Sequence, residues 1–312
     1  MIHERIIHTR ELTKDYGSFR AVDRLNLSVR TERITGFLGR NGAGKSSTIK
    51  MLLGMIRPTS GTGTVLGYRI DDPRQSIEIR RRIAYVGEDK GLYGYMTVAE
   101  LIRFTRSFYS DWQPEIERQL LAEYRLPSRR KVKALSKGMC TKLALLLALS
   151  RRPALLILDE PTEGLDPVSI EELLQTLVAA PANGTSVFFS SHQLSEVERI
   201  ADDILMIDRG SAVLDMSLEQ IRENYRRISL GFSTAAPRLE PLPGIEKVRC
   251  DGRQIVILAS TNADAIAQLG RDRGAVDINV SPVSLREIFL ETVQERNRLD
   301  QQRHLEHDDA LV

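Results

Sequence analysis

The sequence predicts an α/β protein: a mainly parallel sheet covered by helices on both faces, followed by a small α+β appendage. Three observations carry this prediction. The continuous apolar runs ALLILD (154–159), TSVFFSS (185–191) and DILMID (203–208) read as strands buried on both faces. Between them SIEELLQTLVAA (169–180) and LSEVERIA (194–201) read as helices, and strand-helix alternation implies parallel crossovers. A glycine-rich stretch, GRNGAGKSS from Gly39 to Ser47, lies where a strand-like segment gives way to a helix-like one.

The remaining elements follow in chain order. Residues 1–38 hold short β-branched and apolar stretches separated by turn signals, among them LNLSV and RITGFLG, the pattern of strands feeding a sheet. Beyond Gly44, SSTIKMLLGMI places Ile49, Leu52, Leu53 and Ile56 on one face at 3.6-residue periodicity, which predicts a helix. RRIAYVGE (81–88) reads as another strand. Helical patterns dominate from about residue 97 to 150 and end on a single stripe of Met139, Leu143, Leu146 and Leu147. After about residue 225 the texture changes: RISLGF, RQIVILAS and AVDINV read as strands, NADAIAQLGRD and SLREIFLETVQERN as helices, with Pro237, Pro241 and Pro243 at the entry. The predicted division is therefore a domain over 1–225, with a helical part over about 90–150, and an accessory domain over 226–312. The closing RHLEHDDALV is polar and predicted to fray, and His304 and His307 are too sparse for a metal site.

Composition narrows the functional classes. With 312 residues, 42% hydrophobic and 28% charged, the chain can bury one sizeable core and a smaller one. A formal net charge of +2 gives no reason to expect nucleic acid as a partner. The local runs Arg80-Arg81-Arg82 and Arg129-Arg130-Lys131 fit either a solvated helix face or an anionic surface. Cys140 and Cys250 stand far apart in unlike contexts, which suggests neither a disulfide framework nor a zinc site, and a reducing compartment fits. The most apolar run, LALLLAL, is broken by Arg151, Arg152 and Pro153; that is well short of the roughly 20 residues that span a bilayer. The N-terminal MIHERIIHTR lacks the apolar core of a secretory signal, so no membrane crossing by the chain itself is expected. Asn183-Gly184-Thr185 matches a glycosylation sequon and here reads as a turn.

The chemistry concentrates in three places. Gly39, Arg40, Asn41, Gly42, Ala43, Gly44, Lys45, Ser46 and Ser47 match G-x-x-x-x-G-K-[ST] between strand and helix. Glycines let successive backbone N–H groups turn onto phosphate oxygens without a Cβ in the way, and the helix N-terminus adds a favourable dipole. Lys45 is suited to neutralise β- and γ-phosphate charge and the Ser46 hydroxyl to ligate Mg²⁺. At the end of a buried strand Asp159 is suited to the Mg²⁺ shell. The adjacent Glu160 is suited to orient or deprotonate an attacking water. Third, LSKGM (135–139) precedes an apolar helix. Its serine and glycine are consistent with a helix cap and a turn, or with a second phosphate contact.

The order GRNGAGKSS, LSKGM, LILDEP, GLDP and SSH resembles the nucleotide-binding subunit of ATP-binding cassette transporters over roughly residues 5–225. The resemblance implies a P-loop nucleotide-hydrolase cassette with an antiparallel β subdomain and a helical signature subdomain. It also implies ATP and Mg²⁺ as cofactors, a second nucleotide-binding subunit paired head to tail, and an integral membrane permease subunit that the chain serves from the cytoplasmic face. LSKGM falls at the family's signature, usually LSGGQ, so Ser136, Lys137 and Gly138 are expected to close on the γ-phosphate held by the other subunit; Lys137 and Met139 depart from the usual residues. Tyr16, in KDYGSFRAV, matches the aromatic that stacks on adenine, with a plain core or surface tyrosine as the alternative. Glu88 stands where the family has a glutamine that senses Mg²⁺ and the attacking water. Asp166 matches the loop that crosses the dimer seam, and His192 the histidine that touches the γ-phosphate. SPVSLREIFLETV and EDKGLYGYMTVAEL resemble the closing segment and the coupling loop of exporter-type cassettes.

The expectation is thus an ATPase subunit powering movement, in the export direction, through a separate membrane protein, with Lys45, Glu160 and His192 as the catalytic residues. Two other readings remain beside it. A soluble cassette ATPase acting on ribosomes or DNA would be expected to carry two cassettes or long insertions, and a regulatory module would not need the Asp159-Glu160 pair.

Overall fold

The structure, a computed structural model, describes residues 5–237, 240 and 242–291. Pro241, the C-terminal part of SLREIFLETVQERN and the polar tail with His304 and His307 lie outside the described residues. The chain divides into two compact units, Met1–Asp215 and Met216–Val312, about ten residues before the predicted boundary near 225.

In the first unit β1 (Arg5–Tyr16) and β2 (Phe19–Arg30) form an antiparallel hairpin with Tyr16 opposite Phe19 at its tip. The fully buried β3 (Ile34–Leu38) leads through the glycine-rich loop into α1 (Lys45–Leu52). Ile49, Leu52 and Leu53 are buried and Ile56 partly so, which is the face expected from the sequence. β4 (Ser60–Val65) and β5 (Tyr68–Arg69) complete an antiparallel sheet of order β2-β1-β4-β5. Asp72 caps α2 (Pro73–Arg82) by accepting from the Arg74 and Gln75 N–H groups, and Pro73 at the first helical position fits the same start.

β6 (Ile83–Val86) follows, and then the helices α3 (Val98–Arg106), α4 (Pro114–Glu123) and α5 (Lys137–Leu149). Thr97 and Glu100 form a capping box that fixes the start of α3. The single stripe expected on α5 is corrected: Met139 and Leu147 are only half-buried, whereas Thr141, Ala144, Leu145 and Ala148 are buried with Leu143 and Leu146. The helix packs against α3, α4 and β6 together, so burial runs around it and no narrow apolar face is required.

β7 (Leu155–Asp159), α6 (Pro167–Ala179), β8 (Ser186–Ser191), α7 (Leu194–Ile200), β9 (Asp203–Asp208) and β10 (Ser211–Ser217) complete the unit. The main sheet has the order β10-β9-β3-β8-β7-β6, with β9, β3, β8, β7 and β6 paired in parallel. Every residue of β3, β7 and β8 is buried, as continuous apolar runs require. Phe37 and Phe188 pack with ring centroids 5.1 Å apart in the core between the two sheets' strands and α1. Register decides where the chemistry collects: Leu38 pairs with Ser191, and Asp159 with Ser190. The carboxyl ends of β3, β7 and β8 therefore lie side by side, the place where open parallel sheets bind ligands.

The second unit begins with α8 (Leu218–Asn224), capped by Ser217. β11 (Arg226–Phe232), β12 (Ile245–Asp251), β13 (Gln254–Ala259), α9 (Ala263–Asp272) and β14 (Ala275–Pro282) follow, and residues 285–291 are helical. The strands form an antiparallel sheet of order β12-β13-β11-β14, with Ile228, Leu230, Phe232, Ile255, Ile257, Ala259 and Ile266 as its core. Of these strands, β12 carries no alternation that marks it in sequence, because it is an edge strand exposed along most of its length. No described helix is long and apolar enough to cross a membrane.

Candidate active site

The glycine-rich loop owes its shape to backbone that side chains would obstruct. Gly44, at φ 105°, caps α1, and a Cβ there would stand 2.4 Å from the Ala21 carbonyl oxygen of β2. Gly42, at φ 81°, is different: a Cβ there would meet no atom of the described residues within 4 Å, so only its backbone conformation calls for glycine. Gly44→Ala is expected to destabilise the protein by at least about 1–3 kcal/mol, from the strained φ alone before the clash is counted. A urea titration checks this, and an unchanged midpoint at constant slope would contradict it.

Lys45, the first residue of α1, is buried. Its Nζ donates to the Gly39 carbonyl at 2.8 Å and the Arg40 carbonyl at 3.4 Å, and it lies 3.0 Å from Glu160 Oε1. That last contact is an ion pair without hydrogen-bond alignment, since Oε1 accepts no hydrogen bond among the described residues. Ser46 is exposed and Ser47 half-exposed at the same helix start, with hydroxyls available to a ligand, and Arg40 and Asn41 are exposed beside them.

Across the crevice Asp159 closes β7 and Glu160 follows it, both buried. Glu160 has a left-handed backbone, φ 47°, unusual for a residue with a Cβ and a sign that its neighbours dictate its conformation. Ser190 of β8 is the neighbour responsible: its Oγ accepts the Glu160 N–H at 3.0 Å and donates to Asp159 Oδ1 at 2.6 Å. On its other side the Glu160 carboxylate meets His192. The ring Nδ1 lies 2.8 Å from Oε2, and the His192 N–H donates to the same oxygen at 3.3 Å. A carboxylate only accepts, so the hydrogen sits on Nδ1. The structure thus brings Lys45, Asp159, Glu160 and His192 into one site, with Glu160 between a cation and an imidazole.

Glu88 lies just past the end of β6, exposed, and its negative charge reaches Tyr85, as does that of Asp159. Burial first, and these two carboxylates second, push the Tyr85 phenol up to about 12, so it stays neutral. Two residues on, Lys90 donates to the Gly87 carbonyl at 3.2 Å. Desolvation and the nearby Lys137 hold its ammonium below the ordinary lysine value, while Glu88, Asp159 and Asp89 act the other way.

LSKGM has a complete set of roles within the chain. Ser136 caps α5, its Oγ accepting the Met139 N–H at 3.2 Å, and stays exposed. A Cβ on Gly138 would stand 2.4 Å from Ser169 Oγ, so this glycine lets α5 approach the first turn of α6. Lys137 lies against Gly164 in the loop after Glu160. Asp166 caps α6, with Oδ1 accepting from the Val168 and Ser169 N–H groups and Oδ2 from the Ser169 hydroxyl at 2.6 Å. The Ser169 hydroxyl and N–H hold its carboxyl below the usual range. Tyr16 is exposed at the hairpin tip with Lys14 Nζ 5.2 Å from its ring centroid, which fits a stacking surface and excludes a core tyrosine.

The donor set suits Mg²⁺: Ser46, Asp159 and Glu88 offer hard oxygens. Among the described residues no group of three or more His, Cys, Asp or Glu could hold a metal ion alone.

Comparison with known proteins agrees with this geometry. The ABC transporter family model matches residues 22–163. A bacitracin transport ATP-binding protein of Bacillus licheniformis is 38% identical over 225 residues, covering 71% of this chain and 73% of that protein. The solved structure of an ATP-binding subunit of an ABC transporter is 31% identical, with a TM-score of 0.64 over 70% of this chain and 92% of its own. A dimeric ATP-binding cassette in a post-hydrolysis state, bound to ADP and phosphate, shares the fold at 21% identity and a TM-score of 0.61, covering 68% of this chain and 98% of that one.

Proposed function

The chain belongs to the ABC transporter family as an ATP-binding, ATP-hydrolysing subunit, and from that premise we propose how its residues divide the work. The observation that carries the reading is the Glu160 carboxylate, held between Lys45 and His192 beside Asp159. Backbone from Gly39 to Gly44, with Arg40, Asn41 and Ala43, cradles the phosphates, and Lys45 neutralises them. Ser47 adds a hydroxyl, and Tyr16 stacks on the adenine. Ser46, Asp159 and Glu88 would hold Mg²⁺, which when bound would neutralise phosphate charge. Glu160 takes a proton from the attacking water, and His192 orients Glu160 through Nδ1.

The second half of the site comes from another nucleotide-binding subunit. Ser136 and Gly138 close on the γ-phosphate, Lys137 adds charge of favourable sign, and Asp166 lies in the loop at the seam. Because the γ-phosphate is the one group both faces share, binding favours the closed pair and hydrolysis releases it.

The output passes to a membrane-spanning partner at the cytoplasmic face. The bacitracin relative supports transport over a ribosome or DNA role, and direction of export rests on the resemblance of the coupling and closing segments. The exposed surface formed shortly after Glu88 in the chain is suited to such a partner. Tyr93, Tyr95, Phe104 and Phe108 form an exposed aromatic row with centroids 5.0–5.8 Å apart, and Tyr95 is 67% and Phe108 66% exposed. Contiguous exposed aromatics mark an interaction surface. Purified in detergent from its own cells, the tagged chain is expected to bring down a polypeptide with several apolar spans of about 20 residues. Tyr95→Ala/Phe108→Ala is expected to lose it while keeping basal ATP hydrolysis. Recovery with ribosomes or DNA that stimulate hydrolysis would contradict the transporter assignment.

A further inference from the structure

One buried acid near the site has no part in the chemistry above. Glu196, in the first turn of α7, is 4% exposed. Its Oε2 accepts the Thr162 hydroxyl at 2.8 Å and the Ser191 hydroxyl at 3.3 Å. Thr162 lies two residues after Glu160, and Ser191 immediately before His192. A single oxygen therefore joins the two segments that carry the pair in contact at 2.8 Å. The helix that presents this oxygen is itself fixed: Val197 is fully buried, and a Cβ built on Gly36 of β3 would stand 2.2 Å from Val197 Cγ1. Only a glycine in β3 lets α7 sit this low, and that depth brings Glu196 to Thr162 and Ser191.

We propose that Glu196 is a positioning residue for ATP hydrolysis: its carboxyl ties the segment after Glu160 to the segment before His192 and holds both side chains in mutual register. This rests on the roles of Glu160 and His192 given above. The tie acts through hydrogen-bond acceptance and needs no charge. Burial pushes the Glu196 carboxyl above the usual range and the Glu160 charge acts in the same direction, while the Thr162 and Ser191 hydrogen bonds and His192 oppose them. Its Oε1 accepts no hydrogen bond among the described residues, so the tie runs through Oε2 alone. Small displacements of catalytic groups are costly, so the tie bears on rate more than on affinity.

The test compares Glu196→Gln with Glu196→Leu in the full-length purified protein supplied with Mg²⁺ and ATP. Glutamine keeps an acceptor oxygen in place, and its kcat is expected within about twofold of the parent; leucine keeps the volume and removes the acceptor, and its kcat is expected to fall about 10- to 100-fold with KM and nucleotide affinity unchanged. A purely structural role would instead lower the melting temperature and leave kcat per folded molecule intact. Should the leucine variant fail to fold, Thr162→Val and Ser191→Ala each remove one half of the tie, and each is expected to lower kcat alone. Parental kcat in Glu196→Leu, or an equal fall in Glu196→Gln, overturns the proposal. His192→Ala, run alongside, separates the two levels: parental kcat in that variant indicts the site itself.

Discussion

Glu160→Gln is expected to lower ATP turnover by about 10²–10⁴-fold, the usual cost of losing a general base, or about 2.7–5.4 kcal/mol of barrier. Glutamine has nearly the volume of glutamate, and its amide oxygen still accepts from the His192 N–H, so the pocket keeps its shape. What disappears is the capacity to take a proton. Lys45 also loses the carboxylate 3.0 Å away, which leaves its charge freer to meet phosphate. ATP binding should therefore persist or tighten while hydrolysis stops. A phosphate-release assay beside a nucleotide-binding titration reads both, and parental hydrolysis in the variant would remove Glu160 from the role of base.

Ser136→Arg is expected to abolish turnover and leave ATP binding by the isolated subunit unchanged. Ser136 is exposed and remote from its own chain's Lys45 loop in sequence, and its loss as a cap costs about 1 kcal/mol, which a folded domain tolerates. An arginine there adds bulk where the surface of a second copy must close, so the harm falls on the paired state alone. Equal turnover in variant and parent would show that the signature segment never meets nucleotide.

The local motifs were legible because each is defined by backbone need within a few residues. GRNGAGKSS requires glycine at Gly42 and Gly44 by their φ angles, and the Asp159-Glu160 pair follows directly from a strand whose buried run marks its end. Contacts between segments were not legible. Ser190 and Glu196 are ordinary polar residues in sequence, and nothing in their spacing says that one locks Glu160 into a left-handed turn and the other joins two loops. Lys90 belongs with them: nothing in the sequence of EDKGLYGYMTVAEL sets it apart, yet the fold brings its charge within reach of Asp159 and Lys137. The same distinction holds for the fold. Strands covered on both faces announce themselves by unbroken hydrophobicity, whereas the edge strand β12 and the all-round burial of α5 depend on which neighbours arrive.

The central claim is that ATP gripped by the Gly39–Ser47 cradle of one copy is clasped by Ser136 and Gly138 of another. The most direct measurement is the solution mass of the Glu160→Gln protein with and without Mg²⁺ and ATP. ATP is expected to double the mass, and Ser136→Arg in the same background to prevent the doubling. A protein that stays monomeric when saturated with ATP, both alone and when assembled with its membrane subunit, would contradict the claim.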